Sequence, residues 1–133
     1  MSTPDREQLL GLLNQLEQRN GDELESQFLD FKRSQGPKED LKVACEYACC
    51  FANAAGGLLV FGVDDQARGR AQAIHGVRGH DPDIFRRGIF SNTRPNIDVQ
   101  VEELAVREGT GRLLLVRIPE GMHKPYGTAA GLY

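Results

Sequence analysis

Four leucines near the N-terminus recur at helical spacing, at Leu9, Leu12, Leu13 and Leu16. Thr3 and Pro4 precede them as an N-cap and first-turn signal, and Asn20-Gly21 ends the run. The pattern therefore predicts an amphipathic N-terminal helix within residues 1–22. It packs on the rest of the domain or contributes to a dimer contact.

A second helix is predicted by a stripe of small and apolar residues at three-and-four spacing. Its members are Leu41, Ala44, Cys45, Ala48, Phe51, Ala52 and Ala55. Gly56-Gly57 ends the stripe, and the chain has no GxxxxGK motif followed by Ser or Thr. We therefore interpret the two glycines as a tight helix-to-strand turn rather than a phosphate loop.

Two strands flank that helix. Leu29 and Phe31 alternate with Asp30 and Lys32, so a strand here buries the first pair and presents the second pair on one face. The run 58–63 is apolar at every position that carries a side chain, as expected for a strand covered on both faces. Asp64 and Asp65 follow where that run meets solvent, either as part of a site or as turn residues.

The second half of the chain predicts a short strand over 71–77, a third helix and a hairpin. Asp81-Pro82 caps the helix, which carries Ile84, Phe85 and Ile89 inward and ends before Pro95. The alternation that begins at Ile97 and the apolar run 113–118 then predict an antiparallel hairpin around the turn 108–111. A further short strand is predicted to begin at 124–126.

Length and charge narrow the function classes. The 133 residues suffice for one domain, and no apolar run or signal peptide indicates a membrane or export, so we expect a cytoplasmic protein. A net charge of -3 argues against a protein that coats nucleic acid nonspecifically. The charge is uneven, however: residues 66–97 hold six arginines and two aspartates, a balance of +4, and a polyanion would bind there.

The three cysteines are predicted to be reduced thiols in the second helix. Cys45 and Cys49 are four residues apart and could share a metal ion, but no third or fourth ligand is evident nearby. Buried packing is the favoured role. On the third helix, Arg87, Ser91 and Arg94 share one flank, which is the best candidate for phosphate contact if they are not simply solvated.

Four ordered motifs resemble the Schlafen AlbA-type domain, also known as the divergent AlbA domain. They are ESQFLDFK, FANAAGGLLVFGVDD, Arg94-Pro95 with the strand that follows, and VRIPEGMHKPY, and they cover the chain from about Leu24 onward. The resemblance implies an α/β (α+β) domain with a mixed β-sheet and helices packed on it. In the family the chain continues past Tyr133 into one more basic motif, which implies that residues 1–133 are the single N-terminal domain of a longer protein.

In vertebrate Schlafen proteins, two acidic residues before Phe-Lys and one after the Gly-Gly strand form a metal-dependent ribonuclease site. By motif position the resemblance places these catalytic and metal-binding roles on Glu25, Asp30 and Asp64, with Mg²⁺ or Mn²⁺ as the ion. The family usually has Glu where this chain has Asp30, and the shorter side chain implies weak or absent hydrolysis. Bacterial members, which this chain resembles more closely, are described as DNA-binding or transcriptional-regulator domains.

The leading hypothesis is therefore a nucleic-acid-binding domain of a bacterial transcriptional regulator, with DNA or RNA as its partner. The proposed phosphate contacts are Lys32, Arg68, Arg70, Arg87 and Arg94. Two alternatives stay open: a metal-dependent endoribonuclease of the Schlafen type, and a dimerisation or ligand-sensing module. Vertebrate relatives carry two such lobes in one chain, which implies that a single-copy chain pairs as a homodimer.

Overall fold

The structure is a computed structural model that describes residues 2–129 and 131–132. Its helices are α1 (Arg6–Gln15), α2 (Gly21–Leu24), α3 (Pro37–Asn53), α4 (Arg70–Ala73) and α5 (Pro82–Ser91). Its strands are β1 (Leu29–Lys32), β2 (Gly57–Phe61), β3 (Thr93–Arg94), β4 (Gln100–Ala105), β5 (Arg112–Ile118), β6 (Gly127–Thr128) and β7 (Gly131–Leu132).

Four of these strands form a mixed sheet in the order β1-β2-β5-β4. Strands β1 and β2 run parallel because the long helix α3 connects them, and β5 runs antiparallel to both of its neighbours. A small antiparallel sheet of β3, β6 and β7 lies apart from it. The mixed sheet with packed helices confirms the predicted fold class.

Each face of the main sheet buries its own core. On one face, α3 and α5 pack with a cluster that includes Leu59, Phe61 and Val116. On the other face, the leucines of α1 pack with a cluster that includes Phe31 and Leu58. Alternate residues of β1 and β2 thus point to opposite cores, and Asp30 and Lys32 lie on the α3 side at the edge of the sheet.

The turn from α3 into β2 requires both glycines, as the sequence indicates. Gly56 has φ +82°, and a Cβ at that position would lie 2.8 Å from the Ile118 carbonyl oxygen. A Cβ on Gly57 would lie 2.3 Å from the Phe51 ring. The ring occupies the space that Gly57 leaves open, so this pair serves packing and chain reversal.

Several sequence predictions differ from the structure. The N-terminal helix predicted within residues 1–22 ends at Gln15, and Gly21 begins the separate helix α2. The N-cap of α1 is Asp5, whose side chain forms a capping box with Gln8, and not Thr3. Residues 71–77, for which the sequence predicts a strand, contain α4 and a single bridge between Val63 and Ile74. The inward orientation predicted for Ile84 is wrong: the residue is 58% exposed, because the buried stripe of α5 runs through Phe85 and Ile89.

A buried polar cluster ties the loop after β1 to the loop before α5. The Asp40 carboxylate accepts hydrogen bonds from the Ser34 hydroxyl at 2.6 Å and the Gln35 backbone N–H at 2.9 Å, and it lies 2.7 Å from His80 Nε2. His80 Nδ1 faces the Arg78 carbonyl oxygen at 3.0 Å. Because Asp40 and His80 are both buried, this pair fixes the first turn of α3 against the loop before α5.

The cysteines have the predicted packing role at two of three positions. Cys45 and Cys49 are buried in the α3 core, whereas Cys50 is exposed, and all three are free. Burial raises the pKa of the Cys45 and Cys49 thiols to about 11, so both are protonated at neutral pH. Among the helices that the structure describes, none has the length and apolarity needed to cross a membrane.

Candidate functional site

Three carboxylates from separate segments meet beside the free edge of β1. Glu25 is the C-cap residue of α2, Asp30 lies within β1, and Asp65 follows β2. One oxygen of each lies within 4.8 Å of one oxygen of the others. We call Glu25, Asp30 and Asp65 the carboxylate cluster.

Glu25 reaches the cluster from outside the strand. Its Oε2 accepts a hydrogen bond from the Phe31 backbone N–H at 2.7 Å, which satisfies a donor on the unpaired edge of β1. Burial, together with the hydrogen bond that protonated Glu25 donates to Asp30 and the charges of Asp30 and Asp65, raises the pKa of Glu25 to about 8. Glu25 therefore holds a proton at neutral pH.

The third member of the cluster is Asp65, where the sequence analysis expects Asp64. Asp64 Oδ1 accepts from the Gln66 backbone N–H at 3.0 Å, so Asp64 shapes the turn after β2. Asp65 is held close to α2, since its carbonyl accepts from the Asp22 N–H at 2.9 Å. A Cβ on Gly21 would lie 3.0 Å from the Asp65 Cα, so a glycine permits this approach.

Lys32 lies next to the carboxylate cluster, and its ammonium group contacts Asp30 and Tyr47. Its Nζ is 3.7 Å from Asp30 Oδ1 and 4.6 Å from the centre of the Tyr47 ring. Burial lowers the pKa of Lys32, but Tyr47 and the Asp30 charge outweigh it and raise the pKa above its usual value. Lys32 is thus a fixed positive charge, placed to meet an anion bound at the cluster.

The cluster fits a divalent cation chemically. Hard oxygen ligands suit Mg²⁺ and Mn²⁺, and two ligands on opposite sides of an ion bound at about 2.1 Å lie about 4.2 Å apart. The observed 4.8 Å spread requires only a small contraction. Glu25, Asp30 and Asp65 would hold the ion, and its binding would displace the proton that Glu25 carries.

The arginines predicted to contact phosphate have different environments. The Arg70 guanidinium donates to both Glu108 oxygens, at 2.8 and 3.1 Å, and to Asn14 Oδ1 at 3.0 Å. This hydrogen bonding raises the pKa of Arg70 and lowers that of Glu108. Arg70 therefore joins α4 to α1 and the β4–β5 turn, and its guanidinium is committed to protein partners.

Arg68 is well exposed and lies 3.8 Å from Glu23 of α2. It belongs to the loop between β2 and α4 that also carries Asp65. Arg33, beside Lys32, lies 4.0 Å from Asp64 and is equally exposed. Exposed pairs of this kind are weak, so both side chains are free to exchange partners. Arg33 directly follows Lys32, and Arg68 lies three residues after Asp65, so both positive charges are close in sequence to members of the carboxylate cluster.

The two remaining predicted contacts lie on and after α5. Arg87 is 64% exposed and pairs with Asp83 at 3.1 Å. Arg94 is also exposed, and its guanidinium donates to the carbonyls of Ser91 and Thr93 at 2.7 and 2.8 Å. Arg87 and Ser91 line one open groove of about 390 Å³, whereas Arg94, the third residue of the predicted flank, does not line it.

The sequence indicates Asp64 and Asp65 together, but the metal-binding role is predicted for Asp64, and Tyr47 is not predicted at all. Nothing in the sequence distinguishes Asp65 from its neighbour Asp64, because the choice depends on how the chain turns after β2. Tyr47 lies on the boundary of the α3 stripe, between buried Ala44 and Ala48, and reaches Lys32 only because β1 lies at the sheet edge.

The fold and this site define an α+β domain in which a parallel β1–β2 pair carries a carboxylate cluster at its edge. Residues 25–133 match the Schlafen, AlbA_2 family, and the chain belongs to that family. None of the curated proteins matches it.

Solved structures that are similar to the chain include the two that follow. The DIP2311 protein from Corynebacterium diphtheriae shares 28% identity over 94% of this chain, with a TM-score of 0.58. This chain spans about a quarter of that protein, 24%. The N-terminal domain of a RecG-related protein from Nitrosomonas europaea shares 29% identity over 83% of this chain and 80% of its own length, with a TM-score of 0.50.

Proposed function

We propose that this chain is a nucleic-acid-binding domain of a bacterial transcriptional regulator. Its membership in the Schlafen, AlbA_2 family supports a role with nucleic acid. So does its similarity to the N-terminal domain of a protein related to the ATP-dependent DNA helicase RecG. DNA and RNA are both compatible with a surface that contacts phosphates.

The observation that carries the proposal is the exposed arginine flank of α5. Arg87 and Arg94 are both exposed and lie in residues 66–97, the stretch of the chain with a positive charge balance. Arg87 pairs with an exposed aspartate on its own helix, and such pairs contribute little. A phosphate can replace that aspartate, since a guanidinium binds phosphate through two parallel hydrogen bonds.

The carboxylate cluster is a poor place for a bare polyanion. Glu25 is protonated at neutral pH, but the carboxylates of Asp30 and Asp65 beside it would repel a phosphate that approaches the carboxylate cluster without a cation. Binding that does not depend on metal is therefore expected on the α5 flank.

The experiment is a fluorescence-anisotropy titration of a labelled 20-nucleotide single strand, the matching DNA duplex and an RNA hairpin, at low salt and in EDTA. We expect the wild-type chain to bind at least one of them, and the double variant Arg87→Ala/Arg94→Ala to bind that ligand at least tenfold more weakly. Binding of none of the three by the wild type would contradict the proposal.

A second candidate function is metal-dependent hydrolysis of RNA, and the convergence of three carboxylates beside Lys32 favours it. A divalent ion would activate water and offset the charge on the reacting phosphate, while Lys32 would steady that phosphate. We expect little cleavage, because Asp30 is shorter than the Glu usual in the family and a displacement near 1 Å costs about a hundredfold in rate. Robust Mn²⁺-dependent cleavage that Asp65→Asn abolishes and Asp64→Asn retains would establish the enzyme instead.

We propose further that the domain acts as a homodimer, because two lobes would give one nucleic acid two arginine flanks. Two binding surfaces on one ligand raise the overall affinity through effective concentration. Sedimentation equilibrium of the purified chain tests this pairing.

A further inference from the structure

We infer that the groove on α5 binds an unpaired nucleotide, with Phe90 stacking on the base and the neighbouring arginines holding the phosphates. The groove is lined by Arg86, Arg87, Phe90, Ser91 and Asp98. This inference rests on the proposed nucleic-acid-binding function and names the form of nucleic acid that the domain takes.

Phe90 is placed as an isolated aromatic among basic side chains. It is 44% exposed, whereas Phe85 of the same helix is 3% exposed and belongs to the core. Arg86 lies one helical turn before Phe90 and Arg87 three residues before it, so all three share one face. An exposed ring beside two arginines, whose exposed pairs with Asp83 and Asp98 are weak, suits a base and its flanking phosphates.

The apolar surface here does not resemble a protein-docking patch. The other exposed apolar residue of α5 is Ile84, six residues before Phe90 and about 120° away around the helix. It does not line the groove. Large contiguous apolar patches mark protein interfaces, and a single ring surrounded by charges lacks that character.

The last turn of α5 is rigidly held, which favours binding because little order is lost when a ligand arrives. The Asn96 side chain donates to the Phe90 carbonyl at 2.7 Å, and the Thr93 hydroxyl donates to the Ile89 carbonyl at 2.9 Å. The Asn92 side chain donates to the Gly88 carbonyl at 2.8 Å. These bonds fix the backbone that presents the Phe90 ring.

Stacking on a protein ring requires a base whose face is open. In a duplex each base face is covered by its neighbours, so an unpaired strand or loop meets this requirement without loss of base stacking. The groove volume of about 390 Å³ lies in the range of small-ligand sites and accommodates one nucleotide rather than a duplex.

The chain contains no tryptophan, so Phe90→Trp introduces one fluorophore at the proposed stacking position. We would titrate this variant with single-stranded (dT)12 and with a 12-base-pair duplex, following tryptophan emission. In parallel, wild type, Phe90→Ala, Arg87→Ala and the matched control Ile84→Ala would be titrated with labelled (dT)12, after circular dichroism and thermal unfolding show that each variant is folded.

We expect (dT)12 to quench the tryptophan emission of the Phe90→Trp variant with saturation, and the duplex to leave it unchanged. Phe90→Ala should bind (dT)12 roughly 5- to 150-fold more weakly, as found for loss of one base-aromatic stack, and Ile84→Ala should match wild type. The inference is overturned if Phe90→Ala binds (dT)12 like wild type while Arg87→Ala binds it weakly. It is also overturned if the duplex quenches the Phe90→Trp emission as strongly as (dT)12 does. The proposed function survives both results. Wild-type failure to bind any nucleic acid overturns both.

Discussion

Glu25 and Phe31 are joined by a hydrogen bond of 2.7 Å from the Phe31 backbone N–H to the Glu25 carboxylate. The bond covers part of the open edge of β1 and turns the Glu25 side chain toward Asp30. Six residues separate the two partners in sequence, and the intervening bridge between Ser26 and Leu29 shapes the turn that brings them together. This one contact places a loop residue in the carboxylate cluster.

The stability of the fold should depend on pH through Glu25. Its pKa is about 8 in the folded chain and near 4.5 when unfolded, so the folded chain holds an extra proton between these values. The stability that this raised pKa contributes is fully present below pH 4.5 and is lost as pH rises through 8. We expect the free energy of unfolding, measured with urea in EDTA, to fall across this range because of Glu25.

In the variant Glu25→Gln, the part of this fall in unfolding free energy that is due to Glu25 should be absent. The control Glu39→Gln, at an exposed position on α3, should show the same fall as wild type. The account of the cluster is wrong if Glu25→Gln and wild type show the same pH dependence between about pH 5 and pH 8.

Metal affinity should distinguish the two neighbouring aspartates. Mn²⁺ binding to the folded state should raise the unfolding midpoint of the wild type. Asp65→Asn removes a ligand and should reduce this shift, whereas Asp64→Asn keeps an oxygen for the Gln66 N–H and should shift like wild type. Differential scanning fluorimetry with increasing MnCl₂ measures this, and equal shifts in the two variants would exclude Asp65 as a ligand.

The fold is largely predictable because its apolar periods are strong. The alternation of Leu29 and Phe31 and the unbroken run of β2 are direct consequences of burial on one or both faces. Residues 71–77 are not predictable, since their structure depends on the Gly69 turn and on Arg70 bonding to Glu108 across 38 residues. Likewise Ile84 fits the helical period but lies outside the part of α5 that the sheet covers.

The candidate site is predictable only in part. The order of the motifs indicates Glu25 and Asp30, and the structure brings these two together. Asp65 rather than Asp64 lies in the carboxylate cluster, and its position depends on a backbone contact between Asp22 and Asp65. No local sequence pattern encodes that contact. Arg70 illustrates the same difficulty, because a buried ion pair and a phosphate contact use the same residue type.

The buried pair of Asp40 and His80 should be a major source of stability. Asp40→Ala leaves His80 Nε2, the Ser34 hydroxyl and the Gln35 N–H without their acceptor. Removal of one partner from a buried pair costs about 3–5 kcal/mol. Urea unfolding measures the loss, and His123→Ala, at an exposed position, is the control. A loss below about 1 kcal/mol would show that the cluster is not a structural clamp.

Self-association should be detectable in solution. We expect sedimentation equilibrium to show a two-fold dimer at high protein concentration, with a mass near twice 14.7 kDa. The same run at low concentration gives the dissociation constant. A mass that stays at the monomer value over the whole range would contradict pairing of residues 1–133.

The most direct test of the account is the salt dependence of nucleic-acid binding by Arg87→Ala. Each phosphate contact contributes about 0.7–0.9 to the slope of log K against log salt, so we expect Arg87→Ala to lower the slope by about one for every sequence tested. Arg107→Ala is the matched control, because that side chain is 83% exposed and lies on the β4–β5 turn. A slope unchanged by Arg87→Ala, or lowered equally by Arg107→Ala, would contradict the α5 arginine flank as the binding surface.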